Sequence, residues 1–164
     1  MSRVAAIDCG TNSLRLLIAE IDSAAGTLVD VERRMEIVRL GQGVDRTGRF
    51  HPEALQRTLD VTAAYADACA AHQVGAVRFV ATSASRDAAD RDAFIDGVHE
   101  RLGVSPEVIT GEDEAHLSFL GATRGLAAVP PGEVLVVDIG GGSTEAVLGV
   151  AGGEVLAALS VDIG

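Results

Sequence analysis

Lysine is missing from this chain: all 13 basic residues are arginine. That excludes the Walker A phosphate loop, which needs its lysine, and it excludes Schiff-base chemistry. Tryptophan is missing too and aromatics are 3% of residues, so the core must be built from Ala, Val, Leu and Ile. Basic charge is scarce, and the formal net charge is −11. Charge-driven binding to duplex nucleic acid or to an anionic membrane surface is therefore not expected. No apolar run approaches the roughly 20 residues of a membrane span, and the N-terminus lacks a basic stretch followed by a hydrophobic one. The two cysteines, Cys9 and Cys69, lack metal-type spacing and read as small buried hydrophobes in a reducing cytoplasm. The expected location is cytoplasmic.

What remains is a globular composition, 48% hydrophobic and 23% charged over 164 residues. That length supports one sound core, or a small domain with part of another. "RVAAIDC" reads as a buried strand, "LRLLIAEI" as a second and "LVDVERRMEIVRL" as a long third, joined by tight turns. This is an antiparallel meander opening a mixed sheet. "GQGVDRTGRF" is a loop, and His51-Pro52-Glu53 opens a helix that runs to about His72. "AVRFVAT" is a strand, "SASRDAADRD" leads into a second helix ended by Gly103, and "PEVIT" is a short fifth strand. "GEDEAHLSFLGATRGL" is a third helix with three acids in its first turn.

"AAVPPGE", residues 127–133, is the best linker, and beyond it the opening meander is repeated. The expected organisation is a complete first lobe over residues 1–128 and the first three strands of a second over 129–164. No helix follows those strands, so their sheet is expected to lack a covering layer unless something else supplies one. An exposed sheet invites self-association, and a homodimer is left open.

The repeat carries the chemistry. Asp8, Gly10 and Ser13 of "DCGTNS" align with Asp138, Gly140 and Ser143 of "DIGGGST". Glycines after a strand let backbone N–H groups point outward as an anion-binding nest, and a hydroxyl adds a donor. The aspartate, repelled by phosphate, is suited to hold Mg2+ that bridges to it. A single D-x-G-x-x-S is an ordinary turn. Three consecutive glycines destabilise a packed element unless they serve something, and two matched copies strengthen the case for phosphate. Facing one another, such turns would clamp a phosphate chain.

In their order and spacing, "AIDCGTNSLRLLIAE", "ATSASRDA", "GEDEA" and "DIGGGSTE" resemble the exopolyphosphatase and guanosine pentaphosphate phosphatase family. That family belongs to the actin-like ATPase, sugar kinase and heat-shock chaperone superfamily. The resemblance implies an α/β, ribonuclease H-like fold with a mixed five-stranded sheet and helices, followed by the opening strands of a similar lobe. It implies a phosphoanhydride hydrolase that releases terminal orthophosphate from polyphosphate or guanosine pentaphosphate by Mg2+-assisted attack of water.

Glu114 then positions the water, with Ser118 and Gly121 on the same small-residue helix face. Helix capping is the ordinary reading of Glu112 and a rival reading of Asp113. Asp138 holds Mg2+, with Asp8 as its weaker counterpart. Glu145 matches a family acid, an exposed strand residue being the plain alternative. Gly140, Gly141, Gly142, Ser143 and Thr144 contact phosphate in one turn, and Gly10, Asn12 and Ser13 in the other. Arg86 of "TSASR" neutralises phosphate oxygens. Arg15 and Arg39 are taken as structural. His116 replaces an arginine common in the family and is not assigned to catalysis. Two alternatives stand beside this reading: an ATP-using kinase or ATPase of the same superfamily, and a phosphate-binding fragment without turnover.

Overall fold

The computed structural model describes residues 2–124, 132–150 and 154–164. Contacts group the chain into two units, Met1–Val108 and Ile109–Gly164.

In the first unit, period-two alternation sets the sheet. Strand β1 (Ser2–Cys9) turns Ala5, Ile7 and Cys9 inward, and β2 (Ser13–Asp22) sets Ile18, Leu16 and Leu14 directly opposite them. Strand β4 (Ala76–Ala81) runs parallel to β1 and adds Phe79 and Ala81 beside Ile7 and Cys9. With β3 (Thr27–Ile37) and the two-residue β5 (Glu107–Val108) the sheet order is β3-β2-β1-β4-β5, the mixed five-stranded arrangement expected. β3 is exposed along almost its whole length, and its acids and arginines discourage pairing with a foreign strand.

Helix α2 (Pro52–Ala71) starts at a proline in its first turn and buries Leu59, Tyr65, Ala68 and Cys69. Its buried Thr58 and Thr62 hydroxyls donate to the carbonyls of Ala54 and Thr58, each at 2.8 Å. Helix α4 (Arg91–Leu102) lies against it where Gly97 makes room: a Cβ there would fall 2.8 Å from a Leu59 methyl. Phe94 of α4 sits between Phe50 and Phe79, with ring centroids 5.9 and 6.1 Å away. The "GQGVDRTGRF" loop contains one helical turn, α1 (Val44–Thr47), between the left-handed glycines Gly43 and Gly48. "SASRD" forms a separate short helix, α3 (Ser83–Asp87).

In the second unit α5 (Gly111–Arg124) packs on the sheet of β6 (Glu133–Ile139), β7 (Thr144–Val150) and β8 (Val155–Val161). Ala115 and Phe119 meet Val147, flanked by Val134, Val136 and Val155. Gly149 admits the Phe119 ring, to which a Cβ would come within 2.7 Å. The covering layer that the second sheet lacks in its own sequence is thus supplied, over one face, by the helix counted from sequence with the first lobe. The other face stays open, with Leu135, Val137, Ile139 and Leu159 between 54% and 75% exposed. Most of the linker "AAVPPGE" lies outside the described residues.

Candidate functional site

The two aligned turns share their construction. In the first, Gly10 N–H donates to the Ser13 carbonyl at 3.0 Å; in the second, Gly140 N–H donates to the Ser143 carbonyl at 2.9 Å. Among the described residues, the following amides, of Thr11 and Asn12 and of Gly141 and Gly142, donate to no backbone carbonyl. Each turn therefore spends one amide on holding its shape and keeps the next two. Successive amides without a backbone acceptor are what an anion-binding nest requires, whereas Gly10 and Gly140, expected to meet phosphate, spend their amides inside the turns.

In the first unit the turn lies at the carboxyl end of β1, beside the carboxyl end of its parallel neighbour β4, since Cys9 pairs with Ala81. Open α/β sheets present their ligand sites at such strand ends. Thr82 N–H donates to the Cys9 carbonyl at 3.2 Å, and the Thr11 and Ser83 hydroxyls are 2.8 Å apart. These bonds bring the segment that carries Arg86, half-buried on α3, alongside the residues Gly10–Ser13. Asp8 is partly exposed and accepts from Arg15 at 3.3 Å, which agrees with a structural Arg15. Burial, and then the Asp8 charge, push the Cys9 thiol far above its usual range, so it stays a neutral core group.

In the second unit the register forms a polar row across three strands: Asp138 opposite Glu145, and Glu145 opposite Ser160. Ser160 donates to a Glu145 oxygen at 2.8 Å, and Ser118 of α5 donates to Asp138 at 2.7 Å. The row thus lies on the face that α5 covers. Glu145 is 1% exposed, which rules out the exposed-strand reading, while Asp138 is exposed. Glu114 is half-buried one turn before Ser118 on α5. Ser143 is buried, and Thr144 donates its hydroxyl to the Ile163 carbonyl at 2.6 Å.

Asp113 is engaged in capping. Its N–H donates to the Thr110 hydroxyl at 3.1 Å, and that hydroxyl donates back to the Asp113 carboxylate at 2.7 Å. Thr11, Ser83, Ser118 and Ser160 are the polar side chains that sequence reading did not assign to this chemistry. Ser118 had a signal, since it lies four residues after Glu114 on the same helix face. Ser160 became visible only with the register. No group of three or more His, Cys, Asp or Glu gathers as a metal cage among the described residues.

Similarity to known proteins covers nearly the whole chain. The model of the Ppx/GppA phosphatase family matches residues 17–164. Exopolyphosphatase 2 of Mycobacterium tuberculosis is 53% identical over 173 aligned positions, covering 100% of this chain and 53% of that protein. A guanosine-5'-triphosphate,3'-diphosphate pyrophosphatase of Vibrio campbellii is 36% identical, covering 88% of this chain and 28% of that protein. The crystal structure of an exopolyphosphatase-like protein superimposes with a TM-score of 0.93 at 48% identity, over 99% of this chain and 51% of that one. The chain therefore spans about half the length of the mycobacterial relative and of the crystallised protein. The mixed five-stranded sheet, the repeated meander and these similarities agree on the ribonuclease H-like, actin-like ATPase fold. On the match across residues 17–164 and the mycobacterial identity, the chain belongs to the Ppx/GppA phosphatase family.

Proposed function

We propose that the protein is a phosphoanhydride hydrolase that releases terminal orthophosphate from inorganic polyphosphate, guanosine pentaphosphate or both. The observation that carries the reading is the turn built twice on one plan, with Gly10 bonded to Ser13, Gly140 bonded to Ser143, and the next two amides of each left without a backbone acceptor. The relatives named exopolyphosphatase and guanosine pentaphosphate-type pyrophosphatase support the reaction class.

Phosphoryl transfer needs positioning and charge stabilisation more than strong bases. In this reading Glu114 orients the attacking water. In one turn the amides of Gly141 and Gly142 and the hydroxyl of Ser143 donate to phosphate oxygens; the Thr144 hydroxyl, expected to join them, is already donated to the Ile163 carbonyl. The amides of Thr11 and Asn12 and the hydroxyl of Ser13 donate to them in the other, the Gly10 amide, expected to take part, being held by the Ser13 carbonyl, with Arg86 supplying the cationic fork. The binding mode is thus local donors inside an acidic envelope, which reconciles a polyanionic substrate with a net charge of −11.

A divalent cation, taken as Mg2+, would be held at Asp138, with Glu145 behind it and Asp8 as the counterpart in the first turn. Mg2+ binds through one or two carboxylates and keeps waters and phosphate oxygens as its other ligands. An exposed Asp138 held by Ser118 fits that demand, and a three-carboxylate cage is not required. When bound, the cation would neutralise phosphate charge and polarise the scissile bond. We assign the reaction to the cytoplasm. Both thiols are free, and no helix among the described residues is long and apolar enough to cross a membrane.

Glu114→Gln in the full-length protein tests the mechanism. Orthophosphate release from polyphosphate and from guanosine pentaphosphate should fall at least about a hundredfold, roughly 2.7 kcal/mol of barrier. Unchanged release from a folded variant removes Glu114 from the reaction. Comparing the two substrates on the unmodified protein settles which is preferred. Since the mycobacterial relative is about twice as long, the 164 residues alone are expected to bind phosphate but release little.

A further inference from the structure

The internal repeat extends beyond the two turns. The third strand of each meander leaves through a similar string of residues, Val38-Arg39-Leu40-Gly41 in the first unit and Val161-Asp162-Ile163-Gly164 in the second, set two positions apart by the register, in which Ile37 faces Ser13 and Val161 faces Thr144. Both exits run against the turn of their own unit. Val38 and Arg39 donate their amides to the Asn12 carbonyl at 3.0 and 2.9 Å, and Gly41 donates to the Thr11 carbonyl at 2.9 Å. In the second unit the Ile163 carbonyl accepts the Thr144 hydroxyl.

Both glycines are placed where no side chain fits. A Cβ at Gly41 would lie 2.3 Å from the Thr11 methyl and 3.4 Å from Ala84 Cβ. A Cβ at Gly164 would lie 2.3 Å from Gly142 N and 2.4 Å from the Gly141 carbonyl carbon. Neither glycine has the positive φ that would demand glycine on backbone grounds. The constraint is therefore space, and the space is the backbone or side chain of the turn itself.

We propose that Gly41 and Gly164 are positioning residues for the two phosphate turns, each setting its turn by close approach of the strand that follows. The inference rests on the phosphate reading of the preceding subsection. In the first unit the displaced group would be Thr11, whose hydroxyl meets Ser83 at 2.8 Å, so the effect reaches the segment that carries Arg86. In the second unit the displaced group would be the Gly141–Gly142 peptide, whose N–H is one of the two amides without a backbone acceptor.

The test uses the full-length protein, Mg2+ and tripolyphosphate as the probe, with affinity measured by calorimetry and folding by circular dichroism and Tm. Gly41→Ala and Gly164→Ala should each weaken tripolyphosphate binding at least about tenfold in the folded protein, as expected when a binding constellation shifts by a fraction of an ångström to an ångström. Thr11→Ser keeps the hydroxyl and deletes the colliding methyl. The double variant Gly41→Ala, Thr11→Ser should therefore bind within about threefold of Thr11→Ser alone, well under the 1.4 kcal/mol that marks a tenfold change. If Gly41→Ala does not fold, the same comparison of double against single variant decides. A glycine that serves folding alone would lower Tm and leave the affinity of the folded protein unchanged, which overturns the proposal. So does a double variant that folds but stays weak. Should the unmodified protein fail to bind tripolyphosphate, the phosphate reading falls and this inference with it; loss of the glycine effect alone leaves that reading standing.

Discussion

Tyr65 is the only tyrosine in the chain, 1% exposed, with its hydroxyl donating to the Leu14 carbonyl at 2.9 Å. Burial first, and then the Glu36 charge, push its phenol up to about 12. The folded state thus favours the neutral phenol. That contribution is fully present below the ordinary tyrosine value near 10 and is lost as pH rises from there through about 12. With no second tyrosine and no tryptophan, an ultraviolet titration reads this group alone. Its midpoint should fall near 12 in the native protein and near 10 in denaturant, and Tyr65→Phe should remove about 1 kcal/mol of stability at neutral pH. A native midpoint near 10 would show the hydroxyl in water. At this scale the sequence was legible in local backbone geometry: Gly10, Ser13, Gly140 and Ser143 stand in two turns built alike, with the Gly10 and Gly140 amides spent inside them. It was not legible where side chains meet across the fold. Thr11 and Ser83 are 72 residues apart, and Ser118 and Asp138 are 20 apart. Neither pair follows a helical or strand period.

Helix α2 ends on a residue that local physics disfavours. Gln73 has φ 53, in the left-handed region, while Val74 N–H reaches back to the Cys69 carbonyl at 3.0 Å to close the helix end. Glycine relieves the Cβ clash of that conformation. Gln73→Gly should raise stability by about 0.5–1 kcal/mol, measured by denaturant unfolding, without altering phosphate release. A loss of stability would mean that the Gln73 side chain contributes more than its backbone strain costs. The elements themselves were readable. Short apolar runs placed β1, β2 and β4, and Pro52 and Gly103 bounded α2 and α4. Two features escaped. The turn α1 is four residues between glycines, too short for any period to show. The packing of α5 on β6–β8 escaped because an apolar stripe such as Ala115 and Phe119 states that a helix packs, not which sheet receives it.

At the scale of the whole molecule, the open face of the second sheet gathers exposed apolar side chains among the described residues. Val137, Ala146 and Leu159 form one row across the three strands, flanked by Leu135 and Ile139. Apolar patches of this kind drive association in water. The 164-residue chain is expected to sediment as species heavier than its 16.8 kDa monomer as concentration rises. Val137→Glu with Leu159→Glu, two charges set into that row, should return it to the monomer; a wild-type chain that is monomeric throughout would show that the face does not associate. The cysteines give the two units separate voices. Cys9 and Cys69 both lie in the core of the first unit, and the second unit has no thiol at all. A thiol reagent added to the native protein consequently keeps time for the opening of one unit only. Run against a probe that sees both, it tells which unit breathes first, and whether tripolyphosphate slows that clock.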